Sequence, residues 1–290
     1  PPPGVLGVRV TAVDSAAPKG WVSLPLQQTG RDVLDADGTA IVVKENTRAP
    51  TLEGLAVKPR MVITDSQAFA QVDRDTPKDI PLTSFSILMA RYKGFLEDAV
   101  RGVAAIDRLQ DGDRVLIAEG CTHHRQCEDI GTVKIPRWLG EYTGKNLRLE
   151  HSCGRYVPED LSPYQLVIHC GGCMLNGREM DYRRKTAADA GVPFINYGIT
   201  IAHLKGILKR SVELFPDLHA LLPGEKTTKK PLTIPRDSAI VTLINQPETG
   251  DRDEYPFGAV SKRAVGGGST AERRKANGPA RANRAGRFPC

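Results

Sequence analysis

The sequence predicts an α/β protein made of two small α/β domains followed by a disordered tail, the second domain a doubly wound parallel sheet. Three observations predict this. Short apolar runs of strand length alternate with helix-compatible stretches. A change of composition near residue 225 separates a charge-balanced part from a basic one. The chain of 290 residues has room for two domains, which usually run to about 100–150 residues each.

The elements follow in order. Residues 5–13 alternate as a strand, APKG at 17–20 makes a turn, and 24–38 is helix-compatible. AIVVK (40–44) and RMVITD (60–65) read as buried strands, with Asp65 or Ser66 placed to cap a following helix. Residues 82–109 form a long helical pattern broken near Gly94. This first unit spans 5–108, and DGD at 111–113 turns the chain into a second unit over 110–222. There RVLIAE (114–119), LRLEH (147–151), QLVIHC (165–170) and PFINY (193–197) are strands. Parts of 126–143, then 177–190 and 198–215, are helices between and after them. Continuous apolar strands alternating with helices mark a parallel sheet covered on both faces. No internal repeat at a fixed period is visible.

A formal net charge of +6 invites a nucleic-acid partner, but its location argues otherwise. Residues 225–290 hold 13 Lys+Arg and 7 Asp+Glu, which leaves 27 of each sign in residues 1–224. The tail has almost no large apolar residues and cannot offset its ordering entropy by burial. We therefore expect 225–290 to be a disordered basic tail, and we expect no nucleic-acid and no membrane partner. No run of about 18 apolar residues is present to span a bilayer, and the N-terminal residues lack the pattern of a secretory signal.

The chemistry lies in the cysteines. Cys121-Thr122-His123 is followed, after 45 residues, by His169-Cys170-Gly171-Gly172-Cys173. Both groups fall at the carboxyl ends of predicted strands, where open parallel sheets bind their ligands. Without a secretory signal, metal or redox chemistry outweighs a disulfide framework. The fold class therefore includes a metal-cluster site at that sheet edge. Three thiolates with imidazole or oxygen neighbours fit a tetrahedral zinc, structural or hydrolytic, as well as a four-iron cluster with one replaceable ligand. A redox pair at Cys170 and Cys173 fits less well, since that motif normally opens a helix and needs neither Cys121 nor the histidines. Cys127 and Cys153 read as spectators, as does Cys290 at the chain end. Glu119, Glu128 and Asp129 are carboxylates near the site, and Asn196-Tyr197-Gly198 either lines it or makes a strand-to-helix turn. His203 and His219 read as ordinary helix residues. No G-x-x-x-x-G-K-[ST], G-x-S-x-G or G-x-G-x-x-G pattern occurs, so no catalytic residue is assigned.

Residues 118–139 (AEGCTHHRQCEDIGTVKIPRWL), 166–176 (LVIHCGGCMLN) and 195–202 (INYGITIA) resemble the HydF family of FeFe-hydrogenase maturation factors. Residues 17–35, 62–69 (VITDSQAF) and 82–94 (LTSFSILMARYKG) resemble that family's middle region, so the likeness covers about 8–222. It implies a dimerisation domain over 5–108 and an iron–sulfur cluster-binding, tetramerisation domain over 110–222. The family's GTPase domain and its P-loop are not in this sequence, which leads us to expect a fragment or split gene product without GTP hydrolysis. The resemblance also implies a [4Fe-4S] cluster held by Cys121, Cys170 and Cys173, with His123 and His169 near its exchangeable site. The metal-site residues are then Cys121, His123, His169, Cys170 and Cys173. The implied role is a scaffold in H-cluster assembly, which carries a transient diiron precursor to apo FeFe hydrogenase. Implied partners are a second copy of the chain, as homodimer or tetramer, the apo-hydrogenase and radical-SAM maturases. The implied location is the cytoplasm in a bacterium or the chloroplast stroma in an alga.

Overall fold

In a computed structural model, residues 6–11, 24–44, 47–120, 129–154 and 156–222 are described. The predicted tail, 225–290, lies outside them, as does the turn at 17–20. Strands β1 (Leu6–Thr11), β2 (Thr39–Lys44), β3 (Met61–Thr64) and β4 (Leu82–Ser84) form one parallel sheet in the order β2-β1-β3-β4. Strands β5 (Arg114–Ala118), β6 (Arg148–Ser152), β7 (Leu166–His169) and β8 (Phe194–Asn196) form another in the order β6-β5-β7-β8. The expected α/β class and the parallel second sheet are what the chain adopts.

The helices are α1 (Leu24–Asp35), α2 (Arg48–Gly54), α3 (Phe69–Asp75), α4 (Phe85–Tyr92) and α5 (Leu96–Gly102) around the first sheet and beyond it. In the second half they are α6 (Ile135–Thr143), α7 (Gly177–Asp189), α8 (Tyr197–Leu204), α9 (Leu208–Ser211) and α10 (Pro216–His219). All residues of β3 and β7 are buried, as strands covered on both faces must be. Burying each Val, Ile, Leu or Met contributes about 1.5–3 kcal/mol.

One boundary differs from the sequence reading. Residues 82–84, placed at the start of a long helix, instead pair with β3, Val62 opposite Leu82 and Thr64 opposite Ser84. The apolar run continues smoothly from strand into helix, so periodicity hides the change. Ser84 marks it, its side chain accepting from the Ile87 N–H to cap α4.

No fixed period runs through the sequence, yet the architecture is duplicated. The two sheets share strand order and register residue for residue. Thr64 opposite Ser84 corresponds to His169 opposite Asn196, and Val10 opposite Thr64 to Ala118 opposite His169. Asn196 caps α8 through the Ile199 N–H as Ser84 caps α4. Both helices then end on the same turn, with Gly94 at φ 72° and Gly206 at φ 70°. The halves interlock reciprocally: α5 packs against β8, α9 packs against β4, and α4 meets α8. At that meeting a Cβ on Gly198 would stand 2.6 Å from the Ser86 Cβ, so only glycine permits the approach. The Gly198 N–H donates to Ser86 Oγ at 3.1 Å, and the Asn196 side-chain amide donates to the Ser86 carbonyl at 2.9 Å. Among the described residues the two halves accordingly group as one compact unit.

Candidate metal centre

In the second sheet the chain order reverses between β5 and β7, which makes their carboxyl ends the switch point where open α/β sheets bind ligands. β5 ends in Ala118, followed by Glu119 and Gly120; β7 ends in His169, followed by Cys170. The Cys170 N–H donates to the Ala118 carbonyl at 2.8 Å, which holds the two ends side by side.

Two backbone N–H groups then converge on the Cys170 sulfur. Gly120 donates at 3.1 Å and Gly172 at 3.4 Å. Such donors stabilise a thiolate and tune metal–sulfur centres. The Gly172 contact needs the tight turn in which Gly172 has φ 62°, a conformation that an L side chain strains. Cys170 and Cys173 are both partly buried, and neither forms a disulfide. Burial pushes the Cys173 thiol up, while its own N–H, that of Met174 and the Lys93 charge pull it down. Cys121 and His123 lie outside the described residues. Gly120, hydrogen-bonded to Cys170, is the residue before Cys121.

His169, which the resemblance places near the exchangeable site, is held by the protein itself. It is completely buried. Arg183 Nη1 donates to its Nε2 at 3.0 Å. Since guanidinium only donates, Nδ1 carries the proton and donates to the Cys170 carbonyl at 2.7 Å. Burial, partly opposed by the bond to the Cys170 carbonyl and aided by the Arg183 charge, brings its pKa down to about 4. Neutral His169 thus fixes the peptide behind Cys170, and both of its nitrogens are engaged. Arg183 itself is anchored by Glu179 at 2.8 Å and by the Gly154 carbonyl at 2.7 Å.

The neighbouring candidates separate. Glu119 is buried and accepts from Tyr197 Oη at 3.2 Å, and burial followed by the Glu119 charge raises the Tyr197 pKa. Asn196-Tyr197-Gly198 therefore does both things expected of it: Asn196 caps α8 while Tyr197 reaches the site. Asp129 caps the next helical segment by accepting from Thr132 N at 2.8 Å. Cys153 is exposed. His203 meets Asp107 at 3.0 Å on the surface, away from the cysteines. Cys127 and Glu128 lie outside the described residues, as does Cys290.

Sequence reasoning missed two residues. Arg183, at helical spacing from Glu179, gave no sign of reaching His169. Lys93 comes from the end of α4, and its Nζ donates to the Leu175 carbonyl at 2.6 Å, within the cysteine loop. The first half has the same loop with other side chains. Asp65 stands where Cys170 does and accepts from Gln67 N at 2.9 Å, matching the Gly172 to Cys170 contact. Ala68 stands where Cys173 does, so the first sheet lacks the thiolates.

Among the described residues no three His, Cys, Asp or Glu side chains are grouped to hold a metal ion. Thiol donors, N–H groups aimed at sulfur and a position at the switch point all suit a soft, thiolate-bound centre.

A model of the hydrogen maturase F dimerization domain matches residues 2–94, and one of the hydrogen maturase F tetramerization domain matches residues 97–214. No curated protein matches the chain.

Proposed function

The chain belongs to the hydrogen maturase F family through its dimerization and tetramerization domains, which place it in hydrogenase maturation and provide for self-association, and on that premise we propose that it is an iron–sulfur scaffold and carrier. Cys121, Cys170 and Cys173 would hold a [4Fe-4S] cluster, with His123 beside its replaceable position. Such a centre supplies an iron site that exchanges ligands and is soft enough for thiolates. The cargo is the diiron precursor of the H-cluster, received with the radical-SAM maturases and delivered to apo FeFe hydrogenase. The described residues prepare the seat. Gly120 and Gly172 direct N–H groups at Cys170, while His169 and Arg183 fix the peptide behind it. Glu119 and Tyr197, each following a strand of the same sheet, are buried and hydrogen-bonded to each other. The observation that carries this reading is the double N–H contact on Cys170 Sγ, at the switch point and one residue from Cys121.

The chain as given has no catalytic role in this proposal and hydrolyses no GTP. It works in the cytoplasm of a bacterium or the stroma of an algal chloroplast. Cys170→Ser tests the ligand set. After anaerobic reconstitution with iron and sulfide, we expect the variant to lose most of the iron that the parent chain retains. Equal iron in both would remove Cys170 from the site.

A further inference from the structure

We propose that Asp107, Tyr142 and His203 form a second metal site, apart from the cysteines, which takes a hard trivalent ion, iron(III), on carboxylate, phenolate and imidazole. The proposal does not rest on the iron–sulfur reading above.

Three elements bring the donors together. Asp107 lies in the short helical turn Val103–Arg108 that follows α5, Tyr142 in α6 and His203 in α8. Tyr142 Oη donates to Asp107 Oδ1 at 2.8 Å. His203 Nε2 stands 3.0 Å from the same oxygen and 3.3 Å from Tyr142 Oη, so the three atoms form a triangle. Metal–ligand bonds of about 2.0–2.2 Å put neighbouring ligands of a tetrahedral or octahedral shell about 3 Å apart. A cation can therefore replace the hydrogens of this triangle with little movement of its corners. The two rings are set against each other, with centroids 5.4 Å apart. The Asp107 side chain is 49% exposed and Tyr142 45%, which leaves the outer coordination positions to water.

The donor chemistry selects the ion. Asp107 is already anionic: burial would raise its pKa, but the bonds from His203 and Tyr142 and the charge of Arg108 outweigh it. The bond to Asp107 raises the Tyr142 pKa, so the phenol keeps its proton until a highly charged cation competes for the oxygen. On binding, the phenol proton passes to water. The hydrogen on Nε2 of neutral His203 is lost and one is taken up at Nδ1, which has no hydrogen-bond partner among the described residues, so one proton is released in all. Tyrosine phenolate is a known ligand of haem iron, and oxygen donors suit hard ions as thiolates suit soft ones. That contrast separates this site from Cys170 and Cys173.

The test uses the full chain freed of metal, as parent, Cys170→Ser, Tyr142→Phe and His203→Gln, with ferric nitrilotriacetate as the probe. Bound iron, circular dichroism and the visible and resonance Raman spectra are compared. We expect the parent to take one ferric ion with a phenolate-to-iron charge-transfer band, and Cys170→Ser to do the same. Tyr142→Phe, which removes only a hydroxyl, should lose the band and its tyrosinate vibrations. His203→Gln should bind at least about tenfold more weakly, since even an outer-shell partner is worth that much. Ferric ion left wholly on the chelator by the parent would overturn the proposal. So would a band that survives Tyr142→Phe, or one that vanishes in Cys170→Ser and so belongs to the cysteines. Unfolding of both Tyr142→Phe and His203→Gln would overturn it as well, by making the triangle a structural clamp.

Discussion

Arg183 carries its charge into a position 1% exposed. Three acceptors compensate it: the Glu179 carboxylate, the Gly154 carbonyl and His169 Nε2. Replacing it with Met keeps the volume but leaves Nε2 and the carbonyl buried without a donor, at about 1–3 kcal/mol each. We therefore predict that Arg183→Met loses about 3 kcal/mol in urea denaturation, and that its cluster content falls because the peptide behind Cys170 loosens. Gly172→Ala should cost roughly 1–2 kcal/mol from its positive φ alone, read in the same titration. At this scale the strand end that carries Cys170 was legible, since a short apolar run and a C-x-x-C are local signals. The sequence placed His169 with the ligands because adjacency is all that a sequence displays. The arginine that occupies its nitrogen lies fourteen residues on, and Lys93 lies 82 residues from its acceptor. Contacts of that range leave no periodic trace.

Between elements, the halves are held by exchanged helices, and Arg210 is the main polar rivet. From the end of α9 it reaches Asp73 at 2.6 Å and the carbonyls of Asp73, Thr76, Pro77 and Ile80, all on the run from α3 into β4. Burial alone would raise the Asp73 pKa, but the bonds and charges of Arg210 and Lys78 outweigh it and lower it. A carboxylate depressed in the folded state adds stability at pH values above its unfolded pKa, about 3.9. That stability is lost as pH falls through the lower folded value. Asp73→Asn should therefore be less stable than the parent at pH 7. Its stability should also fall less steeply below about pH 4, as followed by circular dichroism in urea at a series of pH values. Element types were legible wherever an apolar run was long. Strand β4 was not, because three residues running straight into an apolar helix carry no alternation of their own. The repeat stayed hidden because loops of unequal length shift it. Thr64 maps to His169, an offset of 105, while Ser84 maps to Asn196, an offset of 112.

As a whole, residues 1–224 are charge-balanced, and their described residues form two copies of one four-stranded design, of which the first carries Asp65 and Ala68 where the second carries Cys170 and Cys173. Each copy leaves β4 or β8 to be covered by the other's helix. A chain ending at residue 108 should therefore fail to fold, giving aggregated or weakly structured material by size exclusion and circular dichroism, whereas the full chain should unfold in a single transition. Survival of a native-like 1–108 fragment would show that the interlock is dispensable. Metal content tests the central claim most directly. Purified and reconstituted without oxygen, the parent chain should be brown and hold about four irons and four sulfides. A colourless protein holding about one zinc, or no metal at all, would contradict the account.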